Sequence, residues 1–337
     1  MPDFAIPFRL SVLDQSPIPE GSAAGDALRN TLDLARLADD LGYYRYWIAE
    51  HHATPGLACA SPEVMIGPVA AATSRIRVGS GGVMLPHYSP LKVAETFSML
   101  AGLFPNRIDL GIGRAPGASA RVALALQRDR RLPALDDFHE QLEELLDYFS
   151  NRSSAIRFET PEPWLLGSSP QSGIWAAELG LPYTFADFIN PEGAKIAAFY
   201  RDRFSPSARE PEPRMAVAVW AICAPTDEEA LRLSASFRMM MLQLYRGRFI
   251  PVPPIEDAYC FLEKEGVPMD RLPQGRRIIT GSPRKVRAAL EAVAAEYGAR
   301  EVFVVNIVYE HAARRLSYEL IAEDCGIANP LHTGRRD

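Results

Sequence analysis

Five consecutive residues, Ile48-Ala-Glu-His-His52, carry the densest chemistry in this chain. Two histidines stand side by side at what reads as the end of a short strand. Strand side chains alternate, so the two rings would point to opposite sides. One ring can face a pocket while the other packs. Imidazole changes charge readily near neutral pH, so the ring that faces the pocket, of His51 or His52, is a candidate acid or base. A purely structural pair, bonded to backbone carbonyls, is the competing reading of an isolated His-His.

Three further groups could hold a ligand. Gly81-Gly82 lies within a strand, where missing side chains let a flat molecule approach; a bulge in the sheet is the alternative. Gly111-Ile-Gly113-Arg114-Ala-Pro-Gly117 is too irregular for a dinucleotide fingerprint. Its Arg114 offers a planar fork suited to a phosphate, or to an ordinary salt bridge. Gly167-Ser168-Ser169-Pro-Gln-Ser172-Gly173 runs straight into a helix. Free N–H groups at a helix start, with three hydroxyls and two glycines, make a phosphate cradle. Simple N-capping by Ser169 or Ser172 is the other reading. Asp14 and Trp220 are weaker substrate-side candidates, each better explained as structural.

The elements that must position these groups alternate between strand and helix. Strands are expected at Phe8–Leu13, Tyr46–Ala49, Ile76–Leu85, Arg107–Gly113, Trp164–Leu166, Tyr183–Asp187, Met215–Ile222 and Glu301–Val308. Helical periodicity fills the intervals, with Gly42 ending the first helix and Ser61-Pro62 opening the second. Near-continuous apolar strands indicate a sheet covered on both faces. Eight such units predict a single-domain (β/α)₈ TIM barrel over residues 1–337, with a doubly wound open sheet as the alternative. Tyr245 to Ile279 is rich in proline and glycine and reads as an inserted loop between strands seven and eight. It is either a lid over the site or a surface or dimer arm.

Composition narrows the class. The net charge of −6 argues against a general nucleic-acid surface. No run approaches the roughly 18 apolar residues of a membrane span, and the first ten residues lack a secretory pattern. Cys59, Cys223, Cys260 and Cys325 are scattered, which predicts reduced, mostly buried thiols in a cytoplasmic protein and no metal site.

Four blocks together resemble the bacterial luciferase-like monooxygenase superfamily. They are Trp47–His52, Arg77–Pro86, Arg107–Arg114 and Ser168–Trp175, and the resemblance spans nearly the whole chain. The opening Leu10–Pro17 is similar to an FMN-using bacterial branch of that family. The resemblance implies a TIM barrel that binds FMN, with reduced flavin supplied by a separate reductase. It implies oxygenation of a small organic substrate with O₂ through a C4a-hydroperoxyflavin. His51 matches the family histidine that does acid–base work near the flavin. Gly81-Gly82 matches a pair joined by a non-prolyl cis peptide beside the ring. Arg114, Ser169 and Ser172 match phosphate-binding positions, within a loop that includes Gly167, Ser168 and Gly173.

Two departures stand out. Ser168 replaces a glutamate of the luciferase catalytic subunit, and Gly113 replaces its reactive cysteine, so light emission is not expected. A homodimer formed through helices beside strands two and three is implied by resemblance. A non-catalytic flavin-binding relative or supporting subunit stays open, as does a flavin- or deazaflavin-dependent dehydrogenase on the same fold.

Overall fold

The computed structural model describes residues 6–114, 120–127, 136–150, 159–207, 209–268, 270 and 278–328. The first half of the chain reads β1 (Arg9–Asp14), α1 (Ala24–Leu41), β2 (Arg45–Ile48), α2 (Pro62–Ala72), β3 (Arg77–Met84), α3 (Pro90–Leu103), β4 (Ile108–Gly113), α4 (Ala120–Leu126), α5 (Phe138–Ser150) and β5 (Glu162–Gly167). The second half reads α6 (Pro170–Glu178), β6 (Tyr183–Ala186), α7 (Ala194–Asp202), β7 (Met215–Cys223), α8 (Asp227–Tyr245), α9 (Ile255–Lys264), β8 (Ile278–Gly281), α10 (Pro283–Tyr297), β9 (Glu301–Val305) and α11 (His311–Asp324).

Eight parallel strands close into a barrel in the order β1 to β7, then β9, which returns to β1. The expected (β/α)₈ architecture is therefore the observed one. β8 lies outside the ring. β9 pairs with β7 over Ala216–Trp220, and β8 takes over from Trp220 to Cys223. The segment expected as one inserted loop thus contains α9 and the start of β8. Ile255, Ala258 and Leu262 bury the inner stripe of α9 with Leu233 and Ala230 of α8. Pro273 and Gly275 of that segment lie outside the described residues.

Side-chain alternation sorts the strands into two cores. Val12, Tyr46, Ile48, Val217, Val219, Val302 and Val304 face outward against the helices. Leu13, Trp47, Ala49, Ala216, Ala218, Phe303 and Val305 face the barrel axis. Large and small residues alternate around that axis, so Trp47 stacks on Phe303 at 4.2 Å between ring centroids and meets Trp164 edge-on at 5.4 Å.

Charge closes the barrel beneath this aromatic layer. Arg45, the first residue of β2, is fully buried and faces Asp109 at 2.7 Å, Glu162 at 2.9 Å and Glu301 at 3.2 Å. Arg77 adds a 2.5 Å contact to Asp109, and Arg214 a 2.9 Å contact to Glu162. Burial pushes the Glu162 pKa up, but Arg45, Arg77 and Arg214 outweigh it and bring the group to about 2. The strands enter at this charged end, which leaves their C-terminal ends free to build a site.

Among the described residues, no helix is long and apolar enough to cross a membrane. All four cysteines are free thiols, and Cys59, Cys223 and Cys325 are buried as expected, whereas Cys260 is exposed.

Candidate active site

Two cavities open at the C-terminal ends of the strands. The larger, about 380 Å³, runs past Leu13, Gly81, Gly82, Gly113, Leu166 and Ala218. The smaller, about 260 Å³, holds His51 among apolar residues that include Trp220 and Phe237. Phe188 and Ile189, in the loop after β6, border both and form their common wall.

The larger cavity gathers most of the ligand-binding candidates. Arg114, Gly167, Ser168, Ser169 and Ser172 all line it. Arg114 lies 5.5 Å from the Trp175 ring centroid, which places its fork beside α6. Its ion pair with Asp136 is long, at 3.6 Å, and both side chains are substantially exposed. Pro170 at the first turn of α6 has no N–H, so the Gln171 and Ser172 N–H groups have no intrahelical acceptors. Ser169 occupies the N-cap position, yet its hydroxyl caps nothing. Ser172 donates to the Ser169 carbonyl at 2.7 Å and shares a 2.8 Å hydrogen bond with Tyr183. Neither hydroxyl therefore serves as the simple N-cap. Gly167 has to be glycine, because a Cβ there would stand 2.2 Å from the Ser172 hydroxyl. Asn190 donates to the Ser168 carbonyl at 3.0 Å and fixes the loop. Thr184 adds a buried hydroxyl oxygen without a partner among the described residues to the lining.

Gly173 stands apart from this group. It does not line the cavity; a Cβ there would meet Ile196 of α7 at 2.6 Å, so its smallness serves helix packing.

The glycines of β3 sit where the β3–β4 register shifts between Ser80 and Val83, the bulge that was the alternative to ligand approach. Gly81 and Gly82 are joined by a cis peptide bond and border the larger cavity. The space beside their α-carbons is filled by protein. A Cβ on Gly81 would meet Leu13 at 2.4 Å and Trp47 at 3.1 Å, and one on Gly82 would meet Gly111 at 2.9 Å. Position 113 has room, since a Cβ there would find only Met84 at 3.6 Å and Val83 at 3.9 Å. Pro116 and Gly117, beyond Arg114, lie outside the described residues.

His51 and His52 follow β2 rather than ending it, because the strand stops at Ile48. The alternation argument does not reach them, and both rings border the smaller cavity. His51 is held by its backbone N–H, which donates to the Cys59 carbonyl at 2.9 Å, while its Nδ1 is buried without a partner among the described residues. Burial, with a smaller contribution from His52, pushes the His51 pKa down to about 4. The ring is neutral at physiological pH, and the near-neutral pKa expected from sequence is not what its surroundings produce. A neutral imidazole in this position rests as a proton acceptor.

His52 is anchored by a residue that the sequence reading passed over. Glu50 is fully buried, and its carboxylate meets His52 Nε2 at 2.6 Å. The same carboxylate accepts from the Tyr88 hydroxyl at 2.9 Å and the Met84 N–H at 3.0 Å. Glu50 thereby ties the end of β2 to the end of β3. The signal was present, since an acid beside two bases seldom stays buried without partnering one of them. Gln15 was also missed. It is only 5% exposed and lines the smaller cavity.

Of the substrate-side candidates, Trp220 lines the smaller cavity and its Nε1 is unpartnered among the described residues. Asp14 lies elsewhere. It accepts from Arg314 at 2.5 Å, Tyr46 at 2.5 Å, Thr31 at 2.7 Å and the Ser16 N–H at 2.7 Å. Burial raises its pKa, and Arg314 and these hydrogen bonds more than reverse the effect, leaving it below the ordinary aspartate value. Asp14 is a structural tie between β1, α1 and α11. From the inserted segment, Arg248, Phe249 and Ile250 reach the cavity wall. Val252 fastens that wall to the loop after β1 through 2.8 Å backbone bonds with Ile18 and Glu20.

A closed parallel barrel with cavities at the C-terminal ends of its strands is the (β/α)₈ barrel arrangement. The family model for luciferase-like monooxygenases matches residues 8–301, and the chain belongs to that family. The N-acetyl-S-alkylcysteine monooxygenase of Bacillus subtilis (strain 168) is 39% identical over 94% of this chain and 97% of the relative. The crystal structure of apo-MsnO8 superposes with a TM-score of 0.89 at 40% identity, covering 95% of this chain and 99% of that one. The oxygenating constituent of 3,6-diketocamphane monooxygenase from Pseudomonas putida, solved with FMN, shares the fold. Its TM-score is 0.71 at 20% identity, over 94% of this chain and 97% of that one.

Proposed function

We propose that the chain is an FMN-dependent monooxygenase, with the larger cavity for flavin and the smaller for a small organic substrate. The observation that carries the reading is the pairing of the two cavities. One has apolar walls and is lined as well by an arginine, an uncommitted serine hydroxyl and a helix start; the other is apolar and holds a neutral histidine. The residues present fit FMN. Arg114, Ser169 and the Gln171 and Ser172 N–H groups would hold its phosphate, and the unpartnered Thr184 hydroxyl has an acceptor or donor to gain. When bound, reduced FMN supplies the two electrons with which O₂ is divided between product and water.

The chain's own residues do the rest. Phe188 and Ile189 separate the two compartments while leaving them in contact. Arg248 to Ile250 cover the substrate side against water. His51 accepts or returns one proton at its imidazole. His52, held by Glu50, keeps the segment after β2 in place. The flavin is delivered already reduced by a partner reductase. A homodimer through α2 and α3 is supported by Val64, Met99 and Leu103, which are 67%, 68% and 70% exposed on those helices.

The test supplies reduced FMN and ¹⁸O₂ to the purified protein with a panel of small thioethers and ketones. Incorporation of one labelled oxygen per product is expected. Oxidation of the flavin with no labelled product from any of the panel would count against the reading.

A further inference from the structure

The smaller cavity also constrains what enters it. Most of its walls are apolar: Leu57, Phe188, Trp220, Phe237, Met240 and Ile307. His51 is neutral, and His52 is matched by the buried Glu50 carboxylate. That leaves Arg248 as the single permanent charge among the lining residues. Its guanidinium has no ion pair and no side-chain hydrogen bond among the described residues, and it stands exposed.

The backbone holds this arginine in position. Arg248 follows α8 in a tight reversal, where the Arg248 N–H bonds the Gln243 carbonyl at 2.9 Å and Gly247 takes a φ of 73°. Glycine is the residue that adopts such a conformation without a Cβ penalty. Elsewhere in the lining, His51 Nδ1 and Trp220 Nε1 are buried without a hydrogen-bond partner among the described residues, and Gln15 is itself a buried polar residue. The lining therefore combines an exposed cation, apolar walls and a few buried polar groups.

We infer that the substrate is a compact apolar molecule ending in a single acid group, whose carboxylate is received by Arg248 while its apolar body extends toward His51 and Gln15. The volume of about 260 Å³ lies below the roughly 300–1,000 Å³ of ordinary ligand pockets, so the body is short. A cationic end is disfavoured by repulsion from the same guanidinium. A planar fork with paired donors suits a carboxylate better than it suits an alcohol. This assignment rests on the smaller cavity being the substrate side of the monooxygenase.

The experiment is calorimetric titration of the full chain, with and without saturating FMN. The probes are para-bromophenylpropanoate and the alcohol and amine of the same skeleton. Arg248 is exposed, so the acid is expected to bind about three- to tenfold tighter than the alcohol, and the amine weakest. Arg248→Gln should erase the preference for acid, and Arg248→Glu should shift it toward the amine. Both variants should keep the FMN affinity of the parent. Equal binding of acid and alcohol, a preference that survives in Arg248→Gln, or failure of all three probes to bind would overturn the assignment. FMN uptake is measured on the same samples, so failure of the flavin reading appears separately, as absent FMN binding.

Discussion

Replacing His51 with alanine should lower substrate oxygenation by about 10²–10⁴-fold, the range that one positioned acid–base group contributes. FMN affinity should be unaffected, because His51 borders the smaller cavity and not the larger. The pairing of these two outcomes is what separates a proton-handling role from a packing one. Unchanged turnover would remove His51 from the chemistry, and a joint loss of turnover and flavin binding would make it structural. The pH dependence is specific as well. The folded ring has a pKa of about 4, against 6.5 for a free histidine. Between those values the unfolded chain holds a proton that the folded chain lacks. The group's contribution to stability is therefore full above pH 6.5 and falls as pH drops toward 4, by roughly 3 kcal/mol in all. Urea unfolding from pH 7 to 4.5 should show this loss in the parent and less of it in His51→Gln. Turnover should show no His51-linked decline near pH 6.5, since that ring is still neutral there.

The second large effect is expected far from the cavities. Arg45→Met should destabilise the fold by about 3–5 kcal/mol, the cost of leaving buried Glu301 without its cation and buried Asp109 with Arg77 alone. Asp109 is fully buried and Glu301 nearly so, and both face Arg45. Burial already raises the Glu301 pKa despite the nearby guanidinium, so losing Arg45 pushes this group further toward the protonated form. Adding Glu301→Gln to Arg45→Met should recover part of the loss, because it removes one of the stranded charges. Urea midpoints for the single and double variants decide the matter. A single variant as stable as the parent would show that the charged layer is dispensable.

How far the sequence foretold these features varies by region. The barrel was legible because its strands carry apolar residues on both faces, as Val302 to Val305 do. The α9 helix was obscured by the prolines at 251, 253 and 254, although Ile255, Ala258 and Leu262 repeat at helical spacing. β8 is only four residues long, too short for periodicity to show. The cluster at α6 was legible from its composition, since glycine, serine and a helix start converge within seven residues. Arg45 was not, because an arginine in a strand ordinarily points to solvent, and only the closed ring turns position 45 inward. The His51 pKa was out of reach for a related reason: local sequence does not reveal how much protein encloses a ring. Gln15 and Glu50 sat inside the very stretches that were read, but their importance comes from what they line or hold in space.

The flavin assignment is tested most directly by titrating the purified protein with oxidised and with anaerobically reduced FMN, alongside Arg114→Ala and Ser169→Ala. Saturable binding of one FMN per chain is predicted, weakened in each variant and far weaker for riboflavin, which lacks the phosphate. No association with FMN in either redox state, or equal affinity for FMN and riboflavin, would contradict it.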